Sequence, residues 1–197
     1  MFLLAIEGID GSGKTTLAQA LREHMKGLYS EIMIMKDLDT TNVGGVVSTL
    51  IRHENLSPLV EMYLFLACKS ELFNLIQNKA GSNILIILDR SFDSFRTYFS
   101  NKGVCTQLIE ANLQAATYEI LPDLSILLDV PAQTAMIRKL RENKNHSKFD
   151  KMPLEDYSTL RTKFLTLYLN RSLPPSHILD GTLSTEELIN LIIPMIN

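Results

Sequence analysis

Tryptophan is absent from this chain, and cysteine occurs only twice, at Cys68 and Cys105. Two distant cysteines without a CxxC pair exclude a disulfide framework and a cysteine zinc cluster, and they fit a reducing compartment. The four histidines, His24, His53, His146 and His177, are scattered, and none pairs with a nucleophile. Long apolar runs are missing as well. The stretch from Met1 to Ile6 is too short for a signal h-region and lacks a basic leader, and nothing approaches a membrane span. A soluble, cytoplasmic protein is therefore expected. Charge of one sign is equally scarce. A formal net charge of −3 gives no electrostatic reason to expect nucleic acid or an anionic membrane as partner. Any anionic substrate must be met by cations gathered locally. Repeats and low-complexity linkers are also lacking, so one domain over residues 1–197 is expected.

What the chain has is apolar material in short blocks. Hydrophobic residues make up 46%, enough for a core without staples. Residues 2–6, 31–35, 83–88, 124–128 and 177–179 read as short strands, most of them continuous apolar runs. Between them, helical spacing marks residues 15–26, 46–51, 59–76, 93–100, 106–120, 132–141, 154–170 and 184–196. Ser57-Pro58 opens the third of these helices as a cap followed by proline. Strands alternating with helices, each strand nearly all apolar, predict a parallel five-stranded sheet covered by helices on both faces.

The strongest motif is Gly8-Ile-Asp-Gly-Ser-Gly-Lys-Thr15, a full match to GxxxxGK[ST] between the first strand and the first helix. Glycines there let successive backbone N–H groups turn inward around an anion. Lys14 reaches the β- and γ-phosphates, Thr15 offers its hydroxyl to Mg²⁺, and the helix start adds its dipole. The expected ATP-binding set is Gly8, Asp10, Gly11, Ser12, Gly13, Lys14, Thr15 and Thr16. Leu85-Ile-Ile-Leu-Asp89 runs four apolar residues into an acid at a strand's C-terminal end, so Asp89 is the second expected Mg²⁺ ligand. A guanine reader of the Asn-Lys-x-Asp kind is missing, because none of the three Asn-Lys pairs is followed by the Asp. A small chain with a basic stretch after the fourth strand points to a nucleotide kinase of three-layer P-loop architecture with a closing lid at about residues 138–152.

Within that class the chain resembles the thymidylate (dTMP) kinases. Phe2-Leu-Leu-Ala-Ile-Glu-Gly-Ile-Asp-Gly-Ser-Gly-Lys-Thr-Thr16 is similar to the family's first signature, F-[IV]-x-x-E-G-x-D-G-x-G-K-T-T. Asp89-Arg90 with Asp93-Ser94 and Tyr98 resembles its D-R-[YHF]-x-D-S-x-x-A-Y segment. Pro122-Asp-Leu124 and Leu128-Asp-Val-Pro131 resemble its P-D-L and L-D-V-P stretches. The resemblance implies transfer of the ATP γ-phosphoryl group to dTMP by a homodimer, with nucleotides as the only partners. It implies that Asp10 faces the acceptor's 3′-hydroxyl and the metal-bound water. Phe65 would stack on thymine, Lys69 stand where the family's Arg bonds the base, Arg90 align the phosphates, and Ser94 and Tyr98 line the acceptor site.

Departures from the family pattern bear on the acceptor. After the second strand, R-E-P-G-G-T-x-x-G is replaced by Lys36-Asp-Leu-Asp-Thr-Thr-Asn-Val-Gly44, which keeps a cation, an acid, the Thr and the last Gly. Lys36 could hold the acceptor phosphate as a point charge, without the fork of Arg. Ser91 replaces the aromatic after Asp-Arg. Gly11 stands where one branch of the family places an arginine; in the other branch the lid supplies it, which points to Arg138 or Arg141 here. Two alternatives to dTMP phosphorylation stay open at this stage: a kinase for another pyrimidine nucleotide or nucleoside, and a non-catalytic nucleotide-binding relative of kinases.

Overall fold

The computed structural model describes residues 1–79, 83–141, 152–171 and 174–196. Among these residues five strands, β1 (Phe2–Glu7), β2 (Glu31–Met35), β3 (Ile84–Asp89), β4 (Leu124–Asp129) and β5 (Ser176–Asp180), form one sheet in the order β2-β3-β1-β4-β5. Every pairing is parallel. The helices are α1 (Lys14–His24), α2 (Asn42–His53), α3 (Pro58–Gln77), α4 (Phe92–Asn101), α5 (Thr106–Ala116), α6 (Ala132–Arg141), α7 (Leu154–Leu169) and α8 (Thr185–Ile196).

Alternation along the central strands splits the apolar residues between two faces. Leu4, Ile6, Leu85, Ile87, Ile126 and Leu128 point toward α1 and α8. Leu3, Ala5, Ile84, Ile86 and Leu88 point toward α3, α4 and α5. Leu127 joins Ile9 and the buried face of α7, including Tyr157, Leu160 and Phe164. The result is the three-layer P-loop arrangement that strand–helix alternation predicts. The two edge strands depart from full burial: β2 is half-buried up to Met35, and β5 leaves His177 exposed.

Two helices differ from their expected bounds for local reasons. Helix α2 begins at Asn42, ahead of the expected residue 46, because Thr41 caps it: the Gly44 amide donates to Thr41 Oγ1 at 2.9 Å. Helix α5 stops at Ala116, short of the expected residue 120, because Tyr118 and Glu119 take φ of 52° and 60° and turn the chain toward β4. The central strands β1 and β3 end side by side, with Ile6 in register with Asp89. Chain leaving β1 crosses over β3 to reach β2, while β4 lies on the other side, so a crevice opens where these strands end.

Candidate active site

At that crevice the chain from Gly8 to Lys14 folds back over the end of β1. Gly11 and Gly13 adopt φ of 78° and 97°, left-handed values that glycine takes without a Cβ penalty. At Gly11 space is also tight, since a Cβ there would lie 2.1 Å from the Ala135 carbonyl oxygen of α6. The loop is thus roofed by α6. Lys14 is buried, and its ammonium donates to the Ile9 carbonyl at 2.7 Å and to Ser12 Oγ at 3.2 Å. Burial, with repulsion from Arg90, lowers its pKa to about 7 against the opposing pull of Asp10, Asp89 and Glu7. An anion brought into the loop restores the charged form.

A second cluster gathers on the end of β3. Asp89 Oδ2 accepts from Thr15 Oγ1 at 2.6 Å and pairs with Lys36 Nζ at 2.7 Å, and Lys36 also reaches Thr15 Oγ1 at 3.2 Å. Burial alone would raise the Asp89 carboxyl, but Lys14 and Lys36 hold it below the ordinary range. The ammonium of Lys36 therefore rests between the two residues expected to hold Mg²⁺. No group of three or more His, Cys, Asp or Glu side chains able to bind a metal occurs among the described residues. One carboxylate and one hydroxyl around a point of cation demand fit Mg²⁺ that takes its other oxygens from phosphates and water.

The third element is Arg90, in the elbow between β3 and α4. Its φ of 74° is left-handed, a conformation costly for a non-glycine residue and common at functional sites. It turns the guanidinium back toward β1, where Nη1 donates to the Gly8 carbonyl and to Ser94 Oγ, each at 2.9 Å, and Nη2 pairs with Asp10. The guanidinium carbon also lies 5.4 Å from the centroid of the Tyr98 ring. Burial would raise the Asp10 carboxyl; Arg90, with help from Lys14 and Lys139, keeps it low and ionised.

What holds this elbow is Glu7, a residue of the first signature to which the sequence assigns no role. Glu7, fully buried at the end of β1, accepts from the amides of Ser91 at 2.8 Å, Asp93 at 3.0 Å and Ser94 at 3.2 Å, and from the Ser94 hydroxyl. It supplies an anion to the orphan donors at the start of α4. Burial and the neighbouring Asp93 push its carboxyl above the ordinary range. The available signal was an acid closing an otherwise apolar strand.

These groups line one cleft of about 520 Å³. Asp10, Gly11, Gly13, Lys14, Thr15, Thr16, Lys36, Phe65, Asp89, Arg90, Ser94 and Tyr98 all reach it, so most of the expected ATP-side and acceptor-side residues share one wall. Its apolar end is built by Phe65 of α3 with Phe95 and Phe99 of α4. The Phe65 and Phe99 rings meet edge-to-face with centroids 5.8 Å apart. Lys69 is the exception. It is fully buried beneath the cleft, with its ammonium on both Asp37 carboxylate oxygens at 2.8 and 3.0 Å and on the Ser91 carbonyl at 3.5 Å. Gly8 and Ser12 support the loop from behind rather than facing the cleft. From α6 the residue that faces the cleft is Lys139, which the basic stretch did not single out. Arg138 turns away and donates to the Gly181 carbonyl at 2.9 Å, and Arg141 stands exposed at the helix end. The rest of the expected lid, residues 142–151, lies outside the described residues. Of the histidines, His24, His53 and His177 are exposed, and His146 lies outside the described residues.

A family model described as Thymidylate kinase matches residues 6–192. This chain belongs to the thymidylate kinase family. Similar proteins include the thymidylate kinase of Chlamydia caviae, 31% identical, with 96% of this chain and 94% of the relative covered. That of Xylella fastidiosa strain M12 is 32% identical, over 95% and 83% of the two chains. That of Kosmotoga olearia is 28% identical, over 94% and 90%. The family match spans β1 to α8, so the phosphate loop, Asp89–Arg90 and the aromatic slot all fall within it.

Proposed function

We propose that the protein transfers the γ-phosphoryl group of ATP to dTMP, giving dTDP and ADP. The observation that carries this reading is the convergence of Lys14, Asp89 and Arg90 with an aromatic slot in a single cleft. A cleft of about 520 Å³ lies within the usual range of small-molecule sites. In this reading Gly8 to Thr16 hold the ATP phosphates, and Lys14 screens charge on the transferring group. Thr15 and Asp89 would hold Mg²⁺, which would neutralise charge on the phosphate oxygens. Arg90, steered by Gly8, Ser94 and Asp10, sets the acceptor phosphate in line. An acceptor oxygen forms its bond to the γ-phosphorus as the bond to the ADP oxygen breaks, and no covalent enzyme intermediate is needed. Lys36, whose ammonium lies 2.7 Å from Asp89 Oδ2, would supply the point charge for the acceptor phosphate. Phe65 stacks on the base, and Tyr98 packs beside the sugar.

The same reading takes 1–197 as one domain whose lid, from about residue 138, supplies a further cation. Lys139, which lines the cleft, is better placed for this than Arg138, whose guanidinium is engaged by Gly181, or Arg141, which stands exposed at the end of α6. A homodimer is proposed through α2 and α3, where Val46, Leu50, Val60 and Tyr63 are exposed. Two free cysteines suit a cytoplasmic setting, and no helix among the described residues is long and apolar enough to cross a membrane.

The test is ADP release measured against dTMP, dUMP, UMP, CMP and thymidine. Fastest turnover with dTMP is expected. Lys14→Met should reduce kcat on the order of a hundredfold or more, as for loss of one strong electrostatic donor. An unchanged rate in that variant overturns the assignment.

A further inference from the structure

Aromatic rings hold a nucleobase without identifying it, because every base offers a π-face. Identity has to be read at the base edge by donors and acceptors. The lysine expected at that edge is withdrawn: Lys69 has no exposed surface, and its ammonium is engaged by Asp37 and Ser91. Polar side chains of the cleft wall then fall into three groups. One gathers on the phosphate loop, Asp89 and Arg90, with Lys36, Ser91, Ser94, Tyr98 and Lys139 around them, and a second on the lip formed by Asp37, Asp39 and Arg52. The third stands among the rings and consists of Glu61 and Lys102.

Their placement follows from the two helices. Glu61 lies one turn before Phe65 on α3, so both side chains share a face. Lys102 caps the far end of α4, about 12 Å along the axis from Ser94 at 1.5 Å per residue. Its ammonium lies 5.9 Å from the centroid of Phe99 and 2.7 Å from Glu61 Oε2, so the pair spans the slot beside the Phe65–Phe99 contact. The Glu61 side chain is only 3% exposed, whereas that of Lys102 is 30% exposed and open to the cleft. An ammonium only donates and a carboxylate only accepts. Side by side they match an edge that presents an acceptor next to a donor. The imide of thymine and uracil does so with O4 and N3–H. Cytosine carries an amino group where the imide has O4, which sets a donor against the ammonium.

We propose that Lys102 and Glu61 are the specificity-determining residues of the acceptor site, Lys102 donating to O4 and Glu61 accepting from N3–H of an imide-bearing pyrimidine monophosphate. The inference rests on the reading of this cleft as the acceptor site. It adds to that reading a different pair of base readers from the one the family motif implies, and a ground for excluding cytosine.

The test compares kcat/KM for dTMP, dUMP and dCMP in the unaltered protein, Lys102→Met, Lys102→Arg and Glu61→Gln, with KM for ATP and the melting temperature recorded for each. Lys102→Met changes a partly exposed side chain and should fold. It should lower kcat/KM for dTMP and dUMP by about tenfold to a hundredfold, the worth of a good edge contact. The loss should appear mainly in KM, with dCMP and the KM for ATP little altered, so that discrimination against cytosine collapses. Lys102→Arg should recover part of it, and Glu61→Gln should fall in the same direction. Equal losses with all three acceptors, or a lower melting temperature with the ratios held, would show the pair to be a mere tie between α3 and α4 and overturn the inference. Should the unaltered protein phosphorylate no pyrimidine monophosphate, the kinase reading itself fails. Activity with unmoved ratios removes the present inference alone.

Discussion

The two cysteines show how far a side chain's chemistry depends on where the fold puts it. Cys68 is buried on α3 against Val47 and Ile51 of α2, and burial, with the nearby Asp37, pushes its thiol up to about 11. Cys105 is exposed at the start of α5. Because the thiolate is the reacting form, native protein at pH 8 should take up one equivalent of a thiol reagent, at Cys105, and two only after denaturation. Raising the pH toward 11 should begin to label Cys68 as its thiolate fraction grows; mass-spectrometric mapping of the labelled peptides checks both outcomes. At this scale the sequence was readable for residues whose roles follow from the chain next to them. Gly8 to Thr15 form a cradle because neighbouring amides do, and Asp89 ends its strand at the crevice because every parallel strand ends there. Lys69 was not readable in this way. A lysine on a helix looks solvated until its partner is known, and that partner, Asp37, is 32 residues away. Arg138 and Lys139 pose a related difficulty: adjacent positions on α6 face different surroundings, and a basic run alone does not say which of them meets the cleft.

At the scale of elements, that same lysine ties α3 to the segment after β2. Lys69 and Asp37 form a salt bridge at 2.8 Å, with side chains 0% and 13% exposed. Breaking a buried pair on one side leaves a charge without its counterion. Lys69→Met is expected to lower unfolding stability by about 3 kcal/mol, the lower end of the usual cost because Asp37 keeps some access to water. Urea unfolding gives the number, and a loss below about 1 kcal/mol would mean that the pair is not a structural tie. Element existence was well read from apolar periodicity, and each strand and helix expected is present. Boundaries failed where local chemistry overrode the pattern. Gly44 and Gly45 read as loop, yet the Thr41 cap starts α2 ahead of them. The apolar spacing around Ile120 read as helix, yet two left-handed residues had already ended α5. The grip of Glu7 on the start of α4 joins residues more than 80 positions apart, beyond the reach of any local pattern.

At the scale of the whole molecule, the apolar surface on α2 and α3 has consequences for assembly. Val46 is 75% exposed, and Leu50 of α2 with Val60 and Tyr63 of α3 have close to half their surface open. Sedimentation velocity over a range of concentrations should show a dimer, and Val46→Asp should shift it to monomer without lowering the melting temperature of the isolated chain by more than about 1 °C, since little core contact is lost. A monomer at every concentration in the unaltered protein would remove the dimer. The contact between Gly11 and α6 shapes something slower, the mutations this lineage can accept. With the Ala135 carbonyl 2.1 Å from where a first side-chain carbon would lie, no substitution at that turn is tolerated until the helix above withdraws. An arginine cannot arrive there by one step. In the proposed reaction, a cation beyond Lys14 would then have to come from outside the loop for as long as the roof keeps its height.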